Sequence, residues 1–170
     1  NIPIPSFTTL QTQKINQSKI LSSHIRNLGL NASIAYSDNL NSYRVHYLLE
    51  NEPKVSIIIP TKNNKSLLKR CIDSLENNTN YKNFEIIIID NNSDDRETLE
   101  YYDSLDCEII LYPHPFNFSK MNNLGVANAQ GDFILCLNDD TKAIDPDWLT
   151  EMVSICQQND VGIVGAKLLH

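Results

Sequence analysis

A chain of 170 residues and 19.3 kDa is long enough for one domain with a sizeable buried core. Hydrophobic residues at 41% and charged residues at 21% are ordinary globular usage, which excludes disordered, collagen-like and fibrous chains. With 14 Lys plus Arg against 21 Asp plus Glu, the net charge of −7 argues against a nucleic acid or an acidic membrane held by a broad basic face, and it leaves room for a bound cation.

Residues 1–52 read as a small α+β segment or the tail of an upstream domain. Ile20, Leu21, His24, Ile25 and Leu28 fall on one face of a helix ended by Gly29, and residues 34–36 and 43–47 read as short strands around a polar turn. From Pro53 onward strand-like and helix-like segments alternate. Val55-Ser56-Ile57-Ile58-Ile59 suits a strand buried on both faces and stops at Pro60. Asn64 or Ser66 is placed to cap a helix to about residue 76, whose apolar face carries Leu67, Leu68, Cys71, Ile72 and Leu75. A second buried strand over 84–89 runs into the polar cluster from Asp90 to Asp95, which opens a short helix through 101; residues 108–112 read as a third strand.

Pro113 and Pro115 bracket a loop, after which Ser119 is placed to cap a helix over 120–129 terminated by Gly131. Another buried strand is expected over 132–137, ending in Asn138-Asp139-Asp140-Thr141. Asp145-Pro146 reads as an N-cap followed by proline at the first helical position, with the helix continuing to about 158, and residues 161–164 begin a further strand. Such alternation predicts an α/β architecture: right-handed crossovers and a mainly parallel sheet with helices on both faces.

In an open parallel sheet ligands bind beyond the carboxyl ends of the strands. Those positions hold Pro60-Thr61-Lys62-Asn63, Asp90-Asn91-Asn92-Ser93 and Asn138-Asp139-Asp140. The five glycines make neither a dinucleotide fingerprint nor a phosphate loop. Adjacent carboxylates such as Asp139 and Asp140 repel unless a cation or a donor lies between them, which suits a hard divalent ion; a solvated acidic turn accounts for the pair equally well. The four cysteines, Cys71, Cys107, Cys136 and Cys156, are too widely spaced for zinc or redox motifs and read as reduced thiols, in keeping with the cytosol. The longest apolar runs are strand-length, no secretory signal is visible after Asn1, and an excised fragment is the expectation.

Val55-Ser56-Ile57-Ile58-Ile59-Pro60-Thr61, Ile87-Ile88-Ile89-Asp90-Asn91-Asn92-Ser93, Phe116-Asn117-Phe118-Ser119-Lys120-Met121-Asn122-Asn123 and Leu135-Cys136-Leu137-Asn138-Asp139-Asp140-Thr141, in this order, resemble the nucleotide-sugar half of glycosyltransferase family 2. Asp145-Pro146-Asp147-Trp148-Leu149 and Val161-Gly162-Ile163-Val164-Gly165-Ala166-Lys167 extend the resemblance, which covers 53–170. It is nearest the bacterial branch that builds surface polysaccharides, including rhamnosyltransferases, and Tyr43-Arg44-Val45-His46-Tyr47 resembles that branch's lead-in.

The resemblance implies a GT-A fold, a UDP- or dTDP-sugar donor, Mg2+ or Mn2+, inversion at the anomeric carbon, a glycan or lipid-linked glycan acceptor, and work in the cytoplasm or at the inner face of the cytoplasmic membrane. Carried over by residue, Pro60 and Thr61 line the nucleotide pocket, Asp90 and Asn91 meet the base, Asp139 faces the ribose, Asp140 holds the metal, and Asn123 lies on the donor side of the cleft. Two positions depart from the family pattern: Asn138 replaces the first acid of its DxD motif and Asn91 a frequent Asp. Amides keep hydrogen bonding without charge, which implies modest metal affinity and an altered base preference. The family's general base lies downstream of His170, so no catalytic residue is expected among these, and the chain alone is expected to be inactive.

Two other classes compete. A receiver-type regulatory domain needs an acidic pair after its first strand, where Pro60-Thr61-Lys62 stands. A non-catalytic scaffold of a polysaccharide-assembly protein would use residues 1–52 to dock a neighbour. Tyr101, Tyr102 and Trp148 are expected to pack helices against the sheet, His114 to sit in a rigid surface loop, and Lys62 and Lys120 to be solvated.

Overall fold

The computed structural model describes residues 7–38 and 40–169, with side chains from residue 12 onward. The chain divides into two compact units, Asn1–Glu50 with Glu151–His170, and Asn51–Thr150.

In the first unit, helix α1 (Phe7–Asn27) leads into an antiparallel hairpin of β1 (Ala32–Ser37) and β2 (Ser42–Tyr47), in register from Ala32 opposite Tyr47 to Ser37 opposite Ser42. Gly29 ends the helix at φ +69°, a left-handed conformation that costs a residue without Cβ little. The expected apolar face is only partly used. Ile25 is buried, whereas Ile20 and Leu28 are 68% and 58% exposed. Spacing defines a helix face, but burial needs an apposed surface, and a two-stranded hairpin is a narrow one.

The second unit is built on a four-stranded, wholly parallel sheet in the order β5-β4-β3-β6, from β3 (Val55–Thr61), β4 (Phe84–Asp90), β5 (Glu108–Leu111) and β6 (Phe133–Cys136). Between them run α2 (Lys65–Asn77), α3 (Arg96–Tyr102) and α4 (Phe118–Asn128). Alternate residues of the central strands serve opposite faces. Ile58, Ile87 and Ile89 pack with Tyr112 and Met121 beneath α4. Ile57, Ile59, Ile86 and Ile88 turn to the other face, where α2 buries Leu68, Cys71, Ile72 and Leu75. Burying each such isoleucine or leucine contributes roughly 1.5–3 kcal/mol. Helix α4 comes close because it carries glycine at the crossing: a Cβ on Gly125 would sit 2.5 Å from Ile58 Cγ2.

Several boundaries differ from the sequence expectation. Strand β6 is an edge strand with alternating exposure, not a doubly buried one, because only β3 flanks it. Asn117, not Ser119, caps α4; its Oδ1 accepts from Lys120 N at 3.0 Å. Helix α5 (Trp148–Cys156) starts two residues later than Asp145-Pro146 suggests and ends short of residue 158. Asp145 Oδ1 accepts from Asp147 N at 2.9 Å, closing a local turn that delays the helix. Residues 161–169 carry no regular element, so the strand expected over 161–164 is absent. A β-branched run between glycines still needs a neighbouring ladder, and Ile163 is 92% exposed.

Candidate active site

The chain proceeds from β3 to β4 to β5 on one side, then returns to place β6 on the other side of β3. That reversal makes the β3/β6 boundary the switch point, the place beyond the strand ends where parallel sheets of this kind bind ligands. Proline suits this boundary. Ile58 O accepts from Leu137 N at 3.0 Å, so by strand alternation Pro60 also faces β6. The β3–β6 pairing has already ended at Ile58 opposite Cys136, and a residue lacking an N–H leaves no ladder bond unmade there.

Across this boundary Thr61 Oγ1 donates to Asp139 Oδ2 at 2.7 Å, and Asn64 Nδ2 reaches the same oxygen at 3.4 Å. Asn64 holds the N-cap position of α2 without a capping side-chain bond; its amide turns to the carboxylate instead. Asp139 is half-buried, and Asp140 beside it is exposed with no hydrogen-bond or ion-pair partner among the described residues. Beneath them the Cys71 thiol lies 3.8 Å from Asn138 O. Burial pushes this thiol up to about 12, and the Asp139 and Asp140 charges reinforce the shift while Arg70 opposes it. It therefore stays a neutral donor under the acidic turn.

The β4 end is joined to this edge through the backbone, Asn91 N donating to Thr61 O at 2.9 Å. Asp90 and Asn91 are both buried. Asp90 accepts from Ser93 N at 3.0 Å, from the Ser93 hydroxyl, and from Tyr102 OH at 2.9 Å. Burial holds the Tyr102 phenol above its ordinary value, the Ser93 bond pulls it down, and the Asp90 charge adds to the rise; the phenol remains a donor. Asn91 gives both amide hydrogens to the β5–α4 loop, to Tyr112 O at 3.1 Å and His114 O at 2.8 Å. Its Oδ1 is left as an acceptor. Asn63, at φ +50°, ties the two loops together: its Oδ1 accepts from Asp94 N and Asp95 N at 2.8 and 3.0 Å, and its N–H reaches Ser93 Oγ at 2.9 Å.

The structure thus brings Pro60, Thr61, Asp90, Asn91, Asp139 and Asp140 to one edge. Asn123 is exposed on α4 and shares none of the hydrogen bonds that link them. Its neighbour Asn122 is the buried one, donating to Phe118 O at 2.8 Å while its Oδ1 has no partner. Asn64 and Tyr102 join this network although the sequence places them only in helices, and Ser93, already at the strand end, enters it as a donor to Asp90. The turn-rich composition of 90–95 was the available signal for Ser93, but only the crossing of helices over strand ends selects the others. Trp148, expected to pack a helix against the sheet, is half-buried, and its indole N–H donates to Thr79 Oγ1 in the segment between α2 and β4, at 3.0 Å. All four cysteines are free thiols.

Among the described residues no three His, Cys, Asp or Glu side chains gather into a metal cage. The chain offers instead one half-buried and one exposed carboxylate beyond the strand ends. That donor set does not suit zinc, but it fits Mg2+ or Mn2+, which take one or two carboxylates and complete their shells with phosphate oxygens and water. Among the described residues no helix is long and apolar enough to cross a membrane.

The model of glycosyl transferase family 2 matches residues 56–170. The uncharacterized protein y4gI of Sinorhizobium fredii is 40% identical over 76% of this chain, and the O-antigen biosynthesis protein RfbC of Myxococcus xanthus is 39% identical over 89%. The chain spans only 15% and 12% of the length of these two relatives. Among solved structures, the mannosyltransferase PcManGT from Pyrobaculum calidifontis, in complex with GDP-Man and Mn2+, superposes with a TM-score of 0.58 at 21% identity, over 66% of this chain and 35% of its own. That likeness carries the fold, the GT-A arrangement of parallel sheet and flanking helices. With the family model spanning two thirds of its residues, the chain belongs to glycosyl transferase family 2.

Proposed function

We propose that residues 53–170 are the donor-binding half of an inverting glycosyltransferase that transfers a hexosyl unit from a UDP- or dTDP-sugar to a growing bacterial surface glycan, free or lipid-linked, on the cytoplasmic side of the membrane. The observation that carries the reading is the bond from Thr61 to Asp139 at the β3/β6 switch point, with the unpartnered Asp140 beside it. The relative named for O-antigen biosynthesis and the GT-A neighbour in complex with GDP-Man and Mn2+ support the substrate class and the metal.

Thr61 and Asn64 orient the Asp139 carboxylate and leave its second oxygen for a ribose hydroxyl. Asn91, its amide hydrogens already given to the loop, offers Oδ1 to a base N–H. Asp90 acts through Ser93 and Tyr102 to hold that turn in shape, a positioning role deeper than direct contact with the base. Pro60 adds no N–H to extend the β3–β6 ladder, and Asn123 faces solvent on the helix that borders the donor side. Asp140 would hold Mg2+ or Mn2+ on the donor diphosphate, where the cation offsets the negative charge that develops as the sugar–phosphate bond breaks.

Calorimetry with UDP, dTDP and GDP, each with and without Mn2+, tests the reading. Saturable binding of a uridine or thymidine nucleotide that tightens with Mn2+ is expected. Binding indifferent to metal, or a clear preference for GDP, would overturn the donor assignment.

A further inference from the structure

Outside the proposed donor site, a cleft of about 690 Å3 lies between the outer face of α2 and the segment after the acidic turn. Arg70 lines it from α2, together with Ser66, Lys69 and Asp73, and Lys142 lines it from the segment after the acidic turn. Lys69 is committed to Asp73, at 2.9 and 2.8 Å from its two carboxylate oxygens. Arg70 and Lys142 have no ion-pair or hydrogen-bond partner among the described residues. Their approach is imposed by the frame. Ala143 N donates to Ser74 Oγ at 3.0 Å, and Asn78 Nδ2 donates to Ala143 O at 3.0 Å and Ile144 O at 2.8 Å, so the Lys142 backbone is stitched to α2.

On a chain of net charge −7, two unpaired cations held toward one concave surface repel each other until an anion sits between them. A guanidinium fork and an ammonium point charge lining one cleft suit a phosphate, which can take two parallel N–H bonds from the first and a charge contact from the second. The cleft has the volume of a small-ligand site, ample for a phosphate with an attached group. We propose that the Arg70–Lys142 cleft, between α2 and the segment that follows the Asp139-Asp140 pair, is a phosphate-binding site that works without metal.

The ligand chemistry is a phosphate ester or diphosphate, and it has two sources, a free phosphate compound or a phosphate carried on a lipid. Calorimetric titration with inorganic pyrophosphate in EDTA should give saturable binding at one per chain, with acetate at matched ionic strength controlling for screening. Arg70→Gln/Lys142→Gln should weaken it at least about tenfold with an unchanged melting temperature, since both side chains are exposed. Asp140→Ala should leave it intact, which separates this site from the proposed donor site. Flotation with phosphatidylcholine vesicles containing phosphatidic acid identifies the source: capture lost in the double variant assigns a lipid phosphate, and pyrophosphate binding without capture assigns a free one. Wild-type pyrophosphate affinity in the double variant, or no saturation below about 10 mM together with no capture, overturns the proposal.

Discussion

The two ends of the parallel sheet carry similar polar groups and use them in opposite ways. At the amino end both carboxylate oxygens of the half-buried Glu85 are taken up by the chain: Lys54 pairs with it, Ser56 Oγ donates at 2.5 Å and Gln130 N at 2.8 Å, while Gly131 N donates to Ser56 Oγ at 2.8 Å. At the carboxyl end, among the described residues, Asp139 has donors on one oxygen and Asp140 has none. A carboxylate whose acceptor sites are filled by its own chain contributes to the fold, whereas one held at a strand end with sites open is available to a ligand. The difference follows from topology. The turn after α4 closes the amino end through Gln130 and Gly131; at the carboxyl end the strand order switches sides between β3 and β6, and the β3–β6 ladder ends at Ile58 opposite Cys136, short of Thr61 and Asp139.

The sharpest way to break this comparison is Asp140→Ala. Metal-enhanced nucleotide affinity should fall about 100-fold, equivalent to about 2.7 kcal/mol at 1.36 kcal/mol per decade, with the melting temperature unchanged. Asp139→Asn should lose less, because an amide still accepts from Thr61 and bonds a ribose hydroxyl. A destabilised Asp140→Ala chain that binds nucleotide and Mn2+ as before would make the acidic pair a structural turn.

Gly131→Ala probes the closed end. The new Cβ would lie 2.6 Å from Ser56 N and 2.7 Å from Lys54 O, backbone atoms that cannot move aside without disturbing β3. A loss of about 2 kcal/mol in urea unfolding is expected, with nucleotide affinity of the folded fraction unaltered. Unchanged stability would mean that the turn into β6 is not tightly seated.

The smallest expected effect is the acid response of Glu85. Burial raises its carboxyl, but the bonds from Lys54, Ser56 and Gln130 outweigh this and hold it below its ordinary value of 4.5. With the folded value depressed, its contribution is complete above 4.5 and is lost as pH falls through the lower folded value. Between about pH 5 and pH 3 the wild-type melting temperature should therefore fall more steeply than that of Glu85→Gln. Parallel curves would show that the closed cluster adds no acid-sensitive stability.

Much of this was legible in the sequence because it depends on short-range pattern. Runs such as Ile57-Ile58-Ile59 and Ile86-Ile87-Ile88-Ile89 announce doubly buried strands, their alternation with amphipathic helices announces a parallel sheet, and polar clusters after each run mark the edge where a site can form. The cap of α4, the late start of α5 and the missing strand over 161–164 were not legible, since each depends on which of several competent neighbours captures a side chain or a ladder. The same holds within the site. The residue types at 61, 90, 91, 139 and 140 and their order are properties of the chain, and so is membership of the family. That Thr61 reaches Asp139 across 78 residues, that Asp90 is occupied by Ser93 and Tyr102, and that Arg70 and Lys142 line one cleft were decided by strand order and helix packing, which bring together groups no local pattern relates.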